Sequence, residues 1–324
     1  MSNPFAEEKT PFVRLILRTE RDKVKQIIDY DTKGTWTMKG VILAAGKGTR
    51  LYPMTYPICK PLLPIYDKPM LYYPLDVLLR AGIRDILIIT PPKGEMEFFH
   101  RLLGDGSDLG VNISYIEQPV ARGIADALIL SEEFVNGDRV CLVLGDNVFF
   151  SPNVEDSLKK AIDAEEGAVI FGYCVEDPRP FGVVEFDKYG DVISLEEKPE
   201  HPKSNYIVPG LYFYDGHAAE FAKELQPSAR GELEITDLNR MYMRRGKLKT
   251  VVLDQEFSWY DAGTAESLLT AAEAIRRVQE ESGKYIACVE ETAWRMGFIS
   301  DEQKDAVGQE MATTPYGQYL LKLK

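Results

Sequence analysis

This 324-residue chain predicts an α/β fold built on a doubly wound, mostly parallel sheet, with a mixed second half and C-terminal helices. Three observations predict it. Short apolar runs alternate with helical stretches between residues 38 and 150. The runs are apolar continuously rather than at every second position, as strands covered on both faces require. Two of them end in loops rich in Gly and Asp, where such sheets present ligands.

The elements follow in order. "GVILAA" (40–45) is the first strand. "PMLYYPLDVLLRAG" (69–82) has helical periodicity and stops at Gly82. "RDILIIT" (84–90) is a strand and "GEMEFFHRLLGDG" (94–106) a helix. "VNISYIEQP" (111–119) is a third strand, "GIADALILSEEFV" (123–135) a third helix, and "RVCLVLGDN" (139–147) a fourth strand. Right-handed crossovers between such units give a doubly wound, mostly parallel sheet. The loops after the first and fourth strands should then share one crevice.

From about Ser151 the pattern is mixed. "GAVIFGYCV" (167–175) is a strand. "FGVVEFDKYGDVISLEEKP" (181–199) is a hairpin turning at Tyr189-Gly190-Asp191. "YIVPGLYFYD" (206–215) is another strand. "GHAAEFAKELQP" (216–227) and "ELEITDLNRMYMRRG" (232–246) are helices, and residues 264–324 are mainly helical. No repeat or low-complexity linker divides the chain, so residues 38–324 read as a single domain. Residues 1–37 carry no motif and read as an N-terminal extension preceding Met38.

Composition excludes several classes. With 45% hydrophobic and 27% charged residues the chain is a packed globular protein. A net charge of −13 argues against nucleic acid and anionic membranes as partners. Cys59, Cys141, Cys174 and Cys288 are too scattered for a zinc site or a disulfide framework, which suits a reducing, cytoplasmic setting. No stretch has the ~18 apolar residues of a membrane span, and the N-terminus lacks signal-peptide features.

The loop "AAGKGTRL" after the first strand invites an anion. Gly46 and Gly48 let backbone N–H groups approach oxygen closely. Arg50 adds a forked cation and Lys60 a second, a pair suited to a triphosphate. A dinucleotide fingerprint fails at Leu51 and lacks a well-placed acidic partner, since Asp67 does not end a strand. A P-loop fails on spacing and on the Lys-Gly order. The alternative is a tight strand-to-helix turn with Arg50 merely solvated.

From Gly46 to Leu51 (G-K-G-T-R-L) and from Lys60 to Pro64 (K-P-L-L-P), the chain resembles the sugar-1-phosphate nucleotidylyltransferases. The resemblance continues through "LLGDGSDLGVNISYIEQP", "LVLGDN", "FGVVEF", "SLEEKP", "NYIVPGLYFYD", "RGELEITDLNR", "WYDAGT" and "PYGQYL", covering nearly all of residues 38–324. The chain departs from the family pattern at Ala45, Pro61 and Pro209.

The resemblance implies a Rossmann-like nucleotidyltransferase sheet and a defined reaction. A nucleotidyl group passes from dTTP to α-D-glucose 1-phosphate, releasing pyrophosphate, with Mg²⁺ as cofactor. The chemistry is mostly positioning and charge neutralisation. Arg50, Lys60, Asp146, Lys198 and Asp261 are the implied catalytic set. Asp146 and Asp261 would hold the metal, since Mg²⁺ takes one or two carboxylates plus phosphate oxygens. Leu43, Gly46, Gly48, Thr49, Arg50, Lys60, Gln118, Gly123 and Asp146 would contact the nucleotide. Gln118 would read the base through its amide, and Gly123 would let a flat base approach. Gly182, Glu197, Lys198 and Val208 would hold the sugar phosphate.

One methyl separates thymine from uracil and is worth only ~1–3 kcal/mol of discrimination, so a nucleotidyltransferase that uses UTP or another sugar 1-phosphate remains an alternative. So does a catalytically silent nucleotide-sugar sensor. The resemblance further implies a homotetramer with an end-product site at an interface. Trp294, Met296, Phe298 and Ile299 could form an assembly surface or simply cover the core. Cys59 has no histidine partner in view and reads as a bystander.

Overall fold

Val41 and Ile42 are adjacent and fully buried, yet they belong to two different apolar clusters, one on each face of the central sheet. Successive strand residues face opposite sides, so a doubly covered strand needs an unbroken apolar run. The structure, a computed structural model, describes residues 38–92, 94–151, 153–254 and 256–324. The expected extension, residues 1–37, lies outside the described residues.

In chain order the first half comprises β1 (Met38–Leu43), a short ribbon of β2 (Pro64–Ile65) and β3 (Lys68–Pro69), and α1 (Tyr72–Arg80). It continues with β4 (Asp85–Thr90), α2 (Met96–Leu103), β5 (Asn112–Glu117), α3 (Asp126–Leu130), α4 (Glu132–Val135) and β6 (Arg139–Leu144). Next come β7 (Asn147–Phe150), α5 (Val154–Ile162), β8 (Ala168–Cys174), β9 (Gly182–Phe186), β10 (Val192–Glu197), β11 (Tyr206–Ile207) and β12 (Leu211–Tyr214). The chain ends with α6 (Ala218–Lys223), α7 (Ile235–Arg244), β13 (Leu248–Val252), β14 (Ser258–Asp261), α8 (Ala265–Ser282), α9 (Val289–Arg295), α10 (Asp301–Glu310) and α11 (Pro315–Lys322).

The large sheet runs β10-β9-β11-β8-β12-β6-β1-β4-β5, with β13 also pairing with β8. β5, β4, β1 and β6 are mutually parallel. β12 is antiparallel to both β6 and β8. The parallel core is therefore the first half, and the predicted mixed half extends it. α1, α2, α5 and α9 pack on one face. α3, α4, α6 and α7 pack on the other. A third cluster joins Leu51, Leu63 and Ile65 to Val148 and Phe150 of β7 and to Ala271, Ile275 and Val278 of α8.

The differences from the sequence reading have local causes. The strand expected over 206–215 breaks at Val208-Pro209-Gly210, because proline has no N–H for the ladder. The helix expected over 123–135 starts at Asp126 and is interrupted at Ser131, whose hydroxyl bonds back to the Leu128 carbonyl. The helix expected from 232 begins at Ile235. β7, β13 and β14 were not anticipated, being short and only partly apolar. The hairpin turn is where expected: the Asp187 N–H donates to the Asp191 carbonyl, and Gly190 has φ +90°. Met296 and Ile299 are buried within this chain, and Trp294 and Phe298 pack against the first cluster. These residues therefore cover the core.

Candidate active site

The glycine loop leaves the carboxyl end of β1 as open chain. Gly48 has φ +60°, a left-handed conformation that glycine adopts freely, and a Cβ there would lie 3.1 Å from Cβ of Lys60. Thr55 Oγ1 donates to the Gly48 carbonyl at 2.8 Å, closing the loop onto the following segment. Thr49–Leu51 form a single 3₁₀ turn. Leu51 is 2% exposed and anchors that turn in the third cluster, which leaves Arg50 facing outward. Gly46 is exposed and has open space where a side chain would stand, as a backbone surface for anions needs.

Asp146 lies in the turn between β6 and β7. Asp261 is the last residue of β14. β14 pairs antiparallel with β7, and the register sets Asp261 opposite Asn147. This ribbon is what brings the two carboxylates together. Lys60, only 5% exposed, reaches both: its Nζ is 2.6 Å from Asp146 Oδ2 and 3.7 Å from Asp261 Oδ1. Arg50 lies 3.9 Å from Asp261 Oδ2.

Burial pushes the Asp146 carboxyl up, but the charge and hydrogen bond of Lys60, with a hydrogen bond from Asn147, hold it below the usual carboxylate value. Asp261 is pushed above that value, first by burial and then by the charge of Asp146. Two hard oxygen donors whose charges oppose each other, held together by one cation, suit a divalent ion bridging to phosphate oxygens. Among the described residues no cluster of three or more His, Cys, Asp or Glu side chains is set to hold a metal. A two-carboxylate Mg²⁺ site completed by substrate fits that donor set.

Asn147 was not singled out from the sequence. It is 3% exposed and organises the neighbourhood. Its Nδ2 donates to Asp146 Oδ1 at 2.8 Å. Its Oδ1 accepts from the Gly210 N–H at 3.0 Å and from Trp259 Nε1 at 2.7 Å. A polar side chain wedged between two apolar strands was the available signal, because such a group is buried only when satisfied.

Arg50, Asp146, Gly182, Glu197, Lys198, Val208 and Asp261 all line one cavity of about 550 Å³. Gly182 and Glu197 face each other across β9 and β10. A Cβ on Gly182 would meet Thr236 Oγ1 at 3.0 Å. Glu197 is held from two sides, by Thr236 Oγ1 at 2.5 Å and by Arg230 at 3.1 Å. The sequence reading assigned neither Thr236 nor Arg230. Lys198 sits at φ +46°, a conformation disfavoured for a residue with a side chain, and its N–H donates to the Phe181 carbonyl at 3.0 Å. Trp259 and Tyr212 also line the cavity.

Leu43, Gly46, Gly48, Thr49, Lys60, Gln118 and Gly123 do not line it. Leu43 ends β1 beside the Asp146 loop, its carbonyl accepting from the Gly145 N–H at 2.9 Å. Gln118 follows β5 and is buried, its amide donating to Asp126. Gly123 has φ +106°, and a Cβ there would lie 2.4 Å from the Leu233 carbonyl oxygen. Its glycine is thus required by the chain itself, at this packed turn. The neighbouring Ile124 reaches the cavity wall.

A second cavity, of about 590 Å³, is lined by Asn136, Gly137, Asp215 and Gly216, with Glu132, Glu133 and Glu220 and no Lys or Arg. A triphosphate would meet only repulsion there. Cys59 is buried, and burial raises its thiol pKa far above the ordinary value, so it is not a thiolate nucleophile.

Residues 39–278 match the family model described as nucleotidyl transferase. The chain belongs to the nucleotidyl transferase family. It is 55% identical to the glucose-1-phosphate thymidylyltransferase of Neisseria meningitidis serogroup A over 286 residues, 88% of this chain and 99% of that one. It is 51% identical to the enzyme of that name from Mycobacterium tuberculosis, with the same coverage. Among solved structures it resembles a Bacillus anthracis protein assigned to the glucose-1-phosphate thymidylyltransferases and crystallised with sucrose. That likeness has a TM-score of 0.69 and 43% identity over 74% of this chain and 96% of the other. No helix among the described residues is long and apolar enough to cross a membrane. Of the charged residues singled out from the sequence, Arg50, Asp146, Glu197, Lys198 and Asp261 line the cavity of this nucleotidyl transferase, whereas Lys60 does not.

Proposed function

We propose that this nucleotidyl transferase joins dTTP to α-D-glucose 1-phosphate in the cavity of about 550 Å³, giving dTDP-glucose and pyrophosphate. The observation that carries the reading is that Arg50, Asp146, Lys198 and Asp261, drawn from four separate segments, line the same cavity. An anionic nucleophile and an anionic triphosphate repel each other, and the site must overcome that repulsion.

The roles follow from chemistry and position. Gly46, Gly48, Thr49 and Arg50 hold the triphosphate, and Leu43 would contribute a further nucleotide contact. Lys198 binds the phosphate of the sugar. Glu197, oriented by Thr236 and Arg230, accepts hydrogen bonds from sugar hydroxyls, and the backbone at Gly182 and Val208 supplies further contacts. Gln118 and Gly123, beside the cavity-lining Ile124, would meet the base. Asp146 and Asp261 would hold Mg²⁺, which when bound supplies positive charge to the triphosphate oxygens. Lys60 keeps both carboxylates in place. An oxygen of the sugar phosphate forms the new bond to the α-phosphorus. The bond from that phosphorus to the bridging oxygen of pyrophosphate breaks in line, and pyrophosphate leaves with the electron pair.

The charged set is complete, which favours turnover over a silent sensor. We also propose cytoplasmic placement and a homotetramer, tested by light scattering. The reaction is tested by measuring pyrophosphate release for dTTP, UTP, dCTP and dATP against several sugar 1-phosphates. Highest kcat/KM for dTTP with glucose 1-phosphate is expected. Release with UTP alone, or with no combination, would refute it.

A further inference from the structure

We propose that Asp126 is a positioning residue that decides which end of the Gln118 amide faces the nucleotide base. It thereby selects bases presenting an N–H at that edge. The inference rests on the reading that Gln118 meets the base.

Gln118 Nε2 donates to Asp126 Oδ2 at 2.8 Å, and both side chains are buried, at 4% and 1% exposure. The other carboxylate oxygen, Oδ1, accepts from Arg122 at 2.7 Å. Glutamine alone is ambiguous, since rotating its amide by half a turn exchanges a donor for an acceptor in nearly the same shape. Asp126 removes that ambiguity. A carboxylate paired with a guanidinium offers only acceptors, so the donor end of the amide must turn toward it. The reverse orientation would set two oxygens against each other in a buried place, where an unmade hydrogen bond is costly.

The oxygen Oε1 is therefore the end left over. It accepts a hydrogen bond from none of the described residues, and it is not among the buried atoms left without a partner, so it remains open to a ligand. Thymine and uracil carry a donor at N3, flanked by carbonyl oxygens. Cytosine carries an acceptor at N3. An acceptor fixed at Oε1 pairs with the first two and opposes the third. Specificity of this kind is strong when a wrong ligand leaves a built hydrogen-bonding group unpaired. Arg122, four residues earlier in the irregular chain that leads into α3, holds the carboxylate from its other side.

The decisive substitution is Asp126→Asn, which keeps shape and changes one atom. Its new amide oxygen still accepts from Arg122, which directs the new NH₂ at Gln118. The Gln118 carbonyl then turns to that NH₂, and Nε2 is shown to the base. The ratio of kcat/KM for dTTP over dCTP should fall at least tenfold, while KM for glucose 1-phosphate stays within about twofold. The swapped pair Gln118→Glu with Asp126→Asn puts the carboxylate at 118 and again presents an oxygen, so preference for dTTP should return. Loss of folding alone would not produce that reversal. Gln118→Leu separates the two ideas. If it leaves the dTTP:dCTP ratio unchanged, Gln118 does not read the base and the proposal falls with that reading. If it collapses the ratio while Asp126→Asn preserves it, the base reading stands and the positioning role of Asp126 is overturned. Should Asp126→Asn alone not fold, the swapped pair decides: wild-type selectivity supports the proposal, and equal use of dCTP and dTTP refutes it.

Discussion

Lys60 Nζ donates to Asp146 Oδ2 at 2.6 Å across 86 residues of sequence. A buried ammonium needs a partner, and here a part-buried carboxylate supplies it. Their pairing fixes the turn after β6 against the segment after the glycine loop before any ligand arrives. The same ammonium lies close to Asp261, so one cation organises both acidic positions.

Asp146→Asn should lower kcat by at least about 100-fold, as loss of a transition-state charge contact does. The fold should persist, because Asn can still accept from Lys60. The check is steady-state turnover alongside circular dichroism. Turnover near the wild-type value would remove Asp146 from the metal site.

Lys198→Ala should raise KM for glucose 1-phosphate by about tenfold or more, consistent with loss of one charge-assisted contact. KM for dTTP should change little. Substitution also relieves the left-handed strain only partly, since Ala has a Cβ too. Selective weakening of dTTP instead would reverse the two phosphate assignments.

Removing residues 1–37 should leave kcat and KM within roughly threefold, under about 0.7 kcal/mol in barrier. Met38 pairs with Arg139 at the amino end of the sheet, whereas Leu43 and Leu144 lead into the site at the other end. Kinetics of the shortened chain, with its folding checked by thermal melting, decide the matter. A folded but inactive product would place the extension in the site or in the active assembly.

Stability should carry a pH signature at Glu290. Burial pushes its carboxyl above the usual range, against hydrogen bonds from Tyr316 and Cys288 and the charge of Lys68. A raised folded pKa means the native state binds this proton more tightly than the unfolded chain. That stabilisation is full below the ordinary carboxylate pKa and is lost as pH rises through the raised value. Glu290→Gln, neutral at every pH, should therefore gain in Tm relative to wild type between pH 5 and pH 8. A difference in Tm that is flat across that range would show that Glu290 ionises without cost.

The parallel core was legible because its signal is local. Continuous apolar runs in β1, β4 and β6 mark strands buried on two faces, and amphipathic stretches between them mark the crossovers. The glycine loop stood out as an anion-binding candidate for the same reason, being a short string of residue types, whereas Asp146, Glu197 and Lys198 were singled out through the family resemblance. Less visible were Pro209 as a break between β11 and β12, and Ser131 as an interruption between α3 and α4. There a single side chain outweighs the periodicity around it.

By itself, then, the sequence determined the layered α/β core, the order of the strands and helices that build it, and the residue types that could meet phosphate and metal. Tertiary structure alone decided which of them meet. β7 and β14 are too short to announce themselves, yet their pairing sets Asp261 opposite Asn147 and beside Asp146. Asn147 as a hub, Thr236 and Arg230 on Glu197, and Asp126 on Gln118 have no signature along the chain. Hydrogen bonds act over about 3 Å in space and ignore separation in sequence. Such partners therefore become visible only once the sheet has closed the distance.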